Sequence, residues 1–189
     1  MLENIEKYAR DFNIPIMQKE GIDFLTDFIK KNNVKTILEI GTAIGYSAIK
    51  MALVDDDIKI ISIERDQERY NEAVKNIKLF NLQNRIKLIY NDAFNVDLTE
   101  KFDLIFIDAA KAQSIKFFTK FENNLNDNKY IITDNINFHG LVGSDEQMSR
   151  NLKQLIRKIS NYIDFLKNND RYITTFYDIG DGISISIKR

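Results

Sequence analysis

The segment from Thr36 to Ser47, TILEIGTAIGYS, constrains the fold of this chain more than any other stretch. Residues Ile37–Ile40 are mostly apolar and are followed by glycine, which is typical of a buried parallel strand. Gly41 and Gly45 allow the backbone to turn sharply and to approach a ligand closely. The pattern therefore predicts a central strand, a glycine turn and the first turn of a helix.

Such a turn can form a nucleotide site, because free N–H groups at the helix start face a crevice beside the carboxyl end of the strand. The spacing from Glu39 to Gly45 is Glu-x-Gly-x-x-x-Gly. This differs from the Gly-x-Gly-x-x-Gly pattern of dinucleotide-binding folds. It resembles the first motif of class I S-adenosylmethionine-dependent methyltransferases. On this motif alone, a generic nucleotide site or a purely structural turn remains equally possible.

Composition excludes several kinds of chemistry. The chain has 189 residues, enough for one domain (1–189) with a sizeable core. It contains no cysteine and one histidine, His139. Disulfide frameworks, zinc–thiolate sites, cysteine nucleophiles and multi-histidine metal sites are therefore excluded, and any metal must be held by oxygen ligands.

Charge and hydropathy give expectations about location and partners. The first residues have no apolar signal core, and no apolar run is long enough to cross a membrane, so we expect a cytoplasmic protein without a membrane partner. The net charge is −1, which gives no overall attraction for nucleic acid. Any RNA would have to bind through a local patch.

Hydrophobic periodicity predicts an α/β fold. Two helices occupy residues 1–33, and strands then alternate with helices before a C-terminal hairpin. This order predicts the Rossmann-like, seven-stranded, doubly wound sheet of class I methyltransferases, with an antiparallel hairpin at its end. The strands are predicted at 36–40, 58–64, 86–90, 102–108, 130–133, 171–177 and 183–188, and the later helices at 46–54, 66–77, 113–125 and from 144 onwards.

Polar residues at the ends of the second and third strands suggest how a nucleoside would bind. Glu64 lies 23 residues beyond Gly41 and could accept hydrogen bonds from ribose hydroxyls. Asp92 and Ala93 follow the third strand, where they could contact an adenine. Asp92 is equally well explained as a turn residue.

Three oxygen-bearing side chains follow the fourth and fifth strands. Asp108 ends one strand, and Asp134 and Asn135 end the next. If these strands are neighbours, two carboxylates and an amide meet at one point, which suits Mg²⁺. Each residue alone could simply start a turn, but the three together favour a metal site. The acidic run Asp55–Asp57 is interpreted instead as a solvated surface turn.

These motifs resemble the cation-dependent O-methyltransferases of the catechol and caffeoyl-coenzyme A type over nearly the whole chain. The segments closest to a bacterial branch, which methylates 5-hydroxyuridine at the wobble position of tRNA, are PIMQKEG, LEIGTAIGYSAI, IDAAKAQ, ITDN and FHGLV. The resemblance implies an S-adenosylmethionine- and Mg²⁺-dependent enzyme that produces 5-methoxyuridine. It also implies a homodimer.

The resemblance also implies residue roles. Mg²⁺ would be bound by Asp108, Asp134 and Asn135, and Lys111 would be the general base beside Asp108. Contacts with S-adenosylmethionine are expected from Met17, Gly41, Ser47, Glu64, Asp92, Ala93 and Asp108.

The acceptor is less constrained by the sequence. A tRNA anticodon loop would need basic contacts, for which the candidates are Arg150, Lys153, Arg157, Lys158 and Lys188–Arg189. A solvated helix face explains the helical residues better on sequence alone. A small catechol-like acceptor is the alternative, and a non-catalytic S-adenosylmethionine-binding or RNA-binding module is a more distant one. His139 follows the metal segment, although a lone loop histidine is more often incidental.

Overall fold

The computed structural model describes residues 1–137 and 149–189, which form helices and strands in alternation. The strands are β1 Thr36–Ile40, β2 Lys59–Glu64, β3 Ile86–Tyr90, β4 Phe102–Ile107, β5 Leu125–Asp134, β6 Tyr172–Tyr177 and β7 Ile183–Lys188. The helices are α1 Leu2–Asp11, α2 Lys19–Lys31, α3 Tyr46–Ala52, α4 Gln67–Leu79, α5 Ser114–Phe121 and α6 Arg150–Lys167.

The strands pair in the order β3-β2-β1-β4-β5-β7-β6. The first five are parallel to one another, whereas β7 is antiparallel to both β5 and β6. The predicted seven-stranded sheet with a C-terminal hairpin is therefore confirmed. Because parallel strands end at the same edge of a sheet, the polar residues that follow β1 to β5 are brought together.

The core lies on both faces of this sheet. Ile37 and Leu38 are fully buried on opposite faces, as the alternation of side chains along a strand requires. Ile37 packs with residues of α1, α2 and α3, and Leu38 packs with residues of α5 and α6. Burial of each such side chain contributes about 1.5–3 kcal/mol, so the central strands are rigid supports for the residues that follow them.

The connection between α5 and β5 differs from the prediction. The helix ends at Phe121 and the strand already starts at Leu125, whereas the sequence predicted a helix to 125 and a strand from 130. Leu125 pairs with Phe102 across an irregularity in the ladder. The Asn124 side chain donates to the carbonyl oxygens of Leu98 and Glu100 and so ties the start of β5 to the segment before β4. The polar sequence after Leu125 concealed this strand.

The predicted start of the last helix falls partly outside the described residues. The predicted capping box at 144–147 and His139 lie outside the described residues. Within them, α6 begins after Ser149, whose hydroxyl accepts a hydrogen bond from the N–H of Leu152 at 3.3 Å. No helix in the described ranges is long and apolar enough to cross a membrane.

Candidate active site

A cavity of about 330 Å³ opens at the carboxyl ends of the parallel strands. All ten residues predicted to bind a cofactor, bind a metal or act in catalysis line it. They fall into two groups. We call the residues that follow β1, β2 and β3, together with Met17, the donor half, and the residues that follow β4 and β5, together with the β6–β7 turn, the acceptor half.

Gly41 joins the two halves. Its φ is +100°, and a Cβ atom there would lie 2.5 Å from the carbonyl oxygen of Asp108. Only glycine fits this position without displacing backbone. The end of β1 therefore packs directly against the end of β4, which brings the glycine turn close to the acceptor half.

Glu64 is held rigidly in the wall of the donor half. Its buried carboxylate accepts three backbone hydrogen bonds, from Ala43 at 2.7 Å, Arg65 at 2.9 Å and Asp66 at 2.8 Å. A carboxylate has about four acceptor positions, so little capacity remains for a ribose. Glu64 also supports the glycine turn, because its hydrogen bond holds Ala43, which has a left-handed φ of +47°.

Glu39 is a buried acid that the sequence reasoning treated only as part of the motif. Its side chain lies beneath the glycine turn and accepts hydrogen bonds from the hydroxyls of Ser47 and Ser62. Ser62 is also hydrogen-bonded to Thr42 at 2.5 Å. Complete burial raises the pKa of Glu39 to about 7, although the two serine hydroxyls oppose this shift. An acid within an apolar strand was the available signal.

Asp92 combines the two roles that the sequence left open. One carboxylate oxygen accepts from the N–H of Phe94 at 2.9 Å and caps a short 3₁₀ turn at Ala93–Asn95. The other lies 3.6 Å from a guanidinium nitrogen of Arg65. Asp92 is thus a turn residue that also lines the cavity beside Ala93.

The N-terminal residues complete the wall of the donor half. Residues 15–18 connect α1 to α2 across the cavity, and Met17 in this connection is buried. The Tyr46 hydroxyl, at the start of α3, donates to Glu6 of α1 at 2.8 Å. This bond ties the N-terminal helix to the helix that carries Ser47.

In the acceptor half, Lys111 and Asp108 form a close pair. The Nζ atom of Lys111 donates to Oδ1 of Asp108 at 2.7 Å, and the two side chains are 14% and 22% exposed. The pair is consequently shielded from bulk water. Lys111 follows Asp108 by one short turn, so the ammonium group is held at the end of β4, within the cavity.

Asp134 and Asn135 lie at the neighbouring strand end. Burial and, second, the charge of Asp108 together raise the pKa of Asp134 to about 7, although the charge of Lys111 opposes this shift. Asn135 has a left-handed φ of +62°. Among the described residues, its buried Oδ1 atom has no hydrogen-bond partner. A buried acceptor without a donor is costly, and two nearby carboxylates repel each other.

These features fit a hard cation. Mg²⁺ would compensate both the repulsion between Asp108 and Asp134 and the unpaired oxygen of Asn135. In the described part of the chain, no group of three or more His, Cys, Asp or Glu could hold a metal. The predicted set therefore depends on the asparagine amide as its third protein ligand.

Comparison with known proteins identifies the enzyme class. A sequence model of the O-methyltransferase family matches residues 1–189. The chain belongs to the O-methyltransferase family. The expected S-adenosylmethionine-dependent O-methyltransferase is thereby confirmed, as is its seven-stranded sheet, whereas the acceptor, the metal and the roles of individual residues stay predictions.

Three relatives illustrate the range of this family. A Staphylococcus aureus crystal structure, provisionally assigned as a caffeoyl-CoA O-methyltransferase, is 38% identical over 100% of this chain and 92% of that chain, with a TM-score of 0.94. The Vitis vinifera flavonoid 3',5'-methyltransferase is 28% identical, over 95% of this chain and 80% of its own. A Bacillus cereus O-methyltransferase in complex with SAH is 23% identical over 100% and 90% of the two chains, with a TM-score of 0.86, and shares the fold.

Proposed function

We propose that this O-methyltransferase methylates a hydroxyl that has a second oxygen on the adjacent ring atom, in a Mg²⁺-dependent reaction. The acceptor is the 5-hydroxyl of 5-hydroxyuridine at the tRNA wobble position, and the product is 5-methoxyuridine. Two carboxylates at adjacent strand ends, and an amide oxygen that has no hydrogen-bond partner within residues 1–137 and 149–189, carry this proposal. 5-Hydroxyuracil presents a hydroxyl beside a ring carbonyl, which is a chelating pair.

Asp108, Asp134 and Asn135 would hold the metal. When bound, Mg²⁺ acts as a Lewis acid, which lowers the pKa of an acceptor hydroxyl and holds the adjacent oxygen in place. Asp134 must be ionised to bind it, and the buried position of Asp134 makes that ionisation costly without a cation. A bound cation would offset that cost.

Lys111 and the cavity walls supply the remaining chemistry. Lys111, whose Nζ atom donates to Asp108 at 2.7 Å, would as a neutral amine take the proton from the hydroxyl that reacts. The donor half binds S-adenosylmethionine, from which the methyl group comes. Because the two halves meet at Gly41, donor and acceptor are held close together, and such positioning contributes much of the rate.

Exposed basic residues support an RNA acceptor. Arg150, Lys153, Arg157 and Lys158 are all exposed on α6. Each can contact a phosphate, and such contacts provide most of the affinity for nucleic acid. This acceptor implies that the enzyme works in the cytoplasm. The homodimer remains a prediction, which analytical ultracentrifugation would test.

A small catechol-like metabolite is the second candidate. It presents the same pair of adjacent oxygens, and the relative from Vitis vinifera is a flavonoid methyltransferase. The net charge of −1 also gives RNA no overall attraction. The exposed basic residues of α6 would then be only a solvated surface.

Methyl transfer from labelled S-adenosylmethionine separates these candidates. The acceptors are an anticodon stem-loop with 5-hydroxyuridine, the same RNA with uridine, and a simple catechol, each with Mg²⁺ or excess chelator. We expect product on the 5-hydroxyuridine RNA alone or in large excess, and none with chelator. Product on catechol only would replace the proposal with the second candidate. Full activity in chelator would exclude the metal role.

A further inference from the structure

Asp181 is an acidic residue in the acceptor half that the mechanism does not use. It lies in the turn between β6 and β7 and lines the same cavity as Asp134 and Asn135. Ile183, the first residue of β7, pairs with Asp134, the last residue of β5. Because the two strands are antiparallel, the β6–β7 turn lies at the edge of the sheet where the cavity opens.

The backbone of this turn is fixed against the segment after β5. The N–H of Asn137 donates to the carbonyl of Asp181 at 2.9 Å, and the N–H of Ile136 donates to the carbonyl of Gly182 at 3.0 Å. Gly182 has a φ of +87°, and a Cβ atom there would lie 2.7 Å from Cγ of Asn137. Asp181 is therefore positioned on a packed turn, not on a free loop.

Strand order sets the sequence of groups along the acceptor half. Asp108 with Lys111 follows β4, Asp134 with Asn135 follows β5, and Asp181 precedes β7, the next strand. Lys111, the metal ligands and Asp181 thus follow one another across the cavity. The ends of β1, β2 and β3, which form most of the donor half, lie on the Lys111 side.

The reactive edge of 5-hydroxyuracil carries its groups in a matching order. The 5-hydroxyl is followed by the C4 carbonyl and then by N3–H. If the hydroxyl lies beside Lys111 and the methyl donor, the carbonyl reaches the metal ligands and N3–H points to the far side. A hydrogen-bond acceptor is needed there, because a buried N–H without a partner is costly.

We propose that Asp181 accepts a hydrogen bond from N3–H of the acceptor and thereby selects a uracil ring over a catechol. This inference rests on the proposed function. A catechol presents only C–H at that position and gains nothing from a carboxylate. Asp181 is then a specificity-determining residue in direct contact with the substrate.

The test combines protein variants with substrate variants. Wild type, Asp181→Ala and Asp181→Asn are compared on three acceptors: the stem-loop with 5-hydroxyuridine, the same RNA with 3-methyl-5-hydroxyuridine, and catechol. Asp178→Ala is the matched control, since it removes an acid of the same turn that bonds Asn137. Calorimetric binding of S-adenosylhomocysteine confirms that each variant is folded, and binding of free 5-hydroxyuridine with Mg²⁺ gives a readout independent of turnover.

We expect wild type to prefer N3–H over N3–CH₃ by about 10- to 100-fold, the usual strength of a hydrogen bond to a charged group. Asp181→Ala should lose this preference and lower the ratio of kcat/KM for 5-hydroxyuridine to that for catechol by a similar factor. Asp181→Asn retains an acceptor oxygen and should show a partial loss.

Two outcomes would overturn the inference in distinguishable ways. If wild type methylates 5-hydroxyuridine but all acceptors respond equally to Asp181→Ala, Asp181 acts through the metal or the fold. If wild type methylates no 5-hydroxyuridine substrate, the proposed function itself is wrong.

Discussion

The two halves of the cavity differ in how their acids are satisfied. In the donor half, Glu64 accepts three backbone hydrogen bonds, and beneath it Glu39 accepts two from serine hydroxyls. In the acceptor half, Asp134 faces the charge of Asp108 and its pKa is raised, and Asn135 has a buried oxygen without a partner in the described residues. One half is complete without a ligand, whereas the other is not.

This difference indicates which half needs a bound ion before it can function. The donor half holds a preformed surface, so S-adenosylmethionine should bind without large electrostatic changes. The acceptor half holds two nearby carboxylates of which only Asp108 has a basic partner, Lys111, among the described residues, and a divalent cation would stabilise both in their ionised form. The halves should therefore respond differently to mutation, chelator and pH.

Asp134→Asn gives the largest expected effect and tests whether the acceptor half depends on a cation. The substitution keeps the shape of the side chain but removes the charge that attracts Mg²⁺. Mg²⁺-dependent turnover should fall about 1,000-fold, as expected when several kcal/mol of stabilisation are lost. Binding of S-adenosylhomocysteine, measured by calorimetry, should change little. Unchanged turnover, or a parallel loss of cofactor binding, would contradict the division into halves.

Gly41→Ala tests the junction between the halves. The new methyl group would meet the backbone of Asp108 at a φ of +100°, so the free energy of unfolding should fall by roughly 3 kcal/mol. Chemical denaturation measures this change. Gly21→Ala is the control, because the nearest atom to its Cβ would be the flexible end of the Met17 side chain at 3.2 Å. That variant should differ from wild type by less than about 1 kcal/mol.

Glu39→Gln tests how the buried acid beneath the donor half affects stability as the pH changes. The pKa of Glu39 is raised from 4.5 to about 7 by burial, so the folded state holds this proton more tightly than the unfolded chain. The favourable contribution is complete below pH 4.5 and is lost as the pH rises through 7. Relative to wild type, the variant should gain about 3 kcal/mol of stability between pH 4 and pH 8. If the difference in free energy of unfolding between variant and wild type is the same at both pH values, this assignment is wrong.

Asn135→Gly is expected to have the smallest effect and isolates the unpaired amide. Glycine retains the left-handed backbone, which Asn135→Ala would strain, and removes the side-chain amide. Mg²⁺ affinity, measured by calorimetry, should fall about 10-fold while stability changes by less than about 1 kcal/mol. If the affinity is unaffected, Asn135 is not a ligand and its buried oxygen needs another explanation.

The strand ends could be predicted because they follow from local patterns. Apolar runs, glycines and acids recur along the chain, and the parallel sheet then brings their ends to one edge. The early start of β5 could not be predicted, since it depends on pairing of Leu125 with Phe102 and on the side chain of Asn124. The sequence therefore predicted the end of a helix at Leu125, where the structure has the start of β5.

Long-range contacts also hid features of the site. The bonds of Glu39 come from Ser47 in α3 and Ser62 in β2, and neither partner is evident from the motif. The position of Asp181 depends on the register between β5 and β7. Unpaired oxygens such as that of Asn135 can be recognised only when the surrounding donors are known.

The donor half and the acceptor half are built from successive parts of the chain, which has an evolutionary consequence. The residues assigned to the donor half come from positions 17–93, and those of the acceptor half come from positions 108–182. Substitutions in the later segment can change which acceptor is methylated while the earlier segment keeps the same methyl donor. If the earlier segment is inherited unchanged while the later segment diverges, related enzymes can modify very different molecules with a single cofactor.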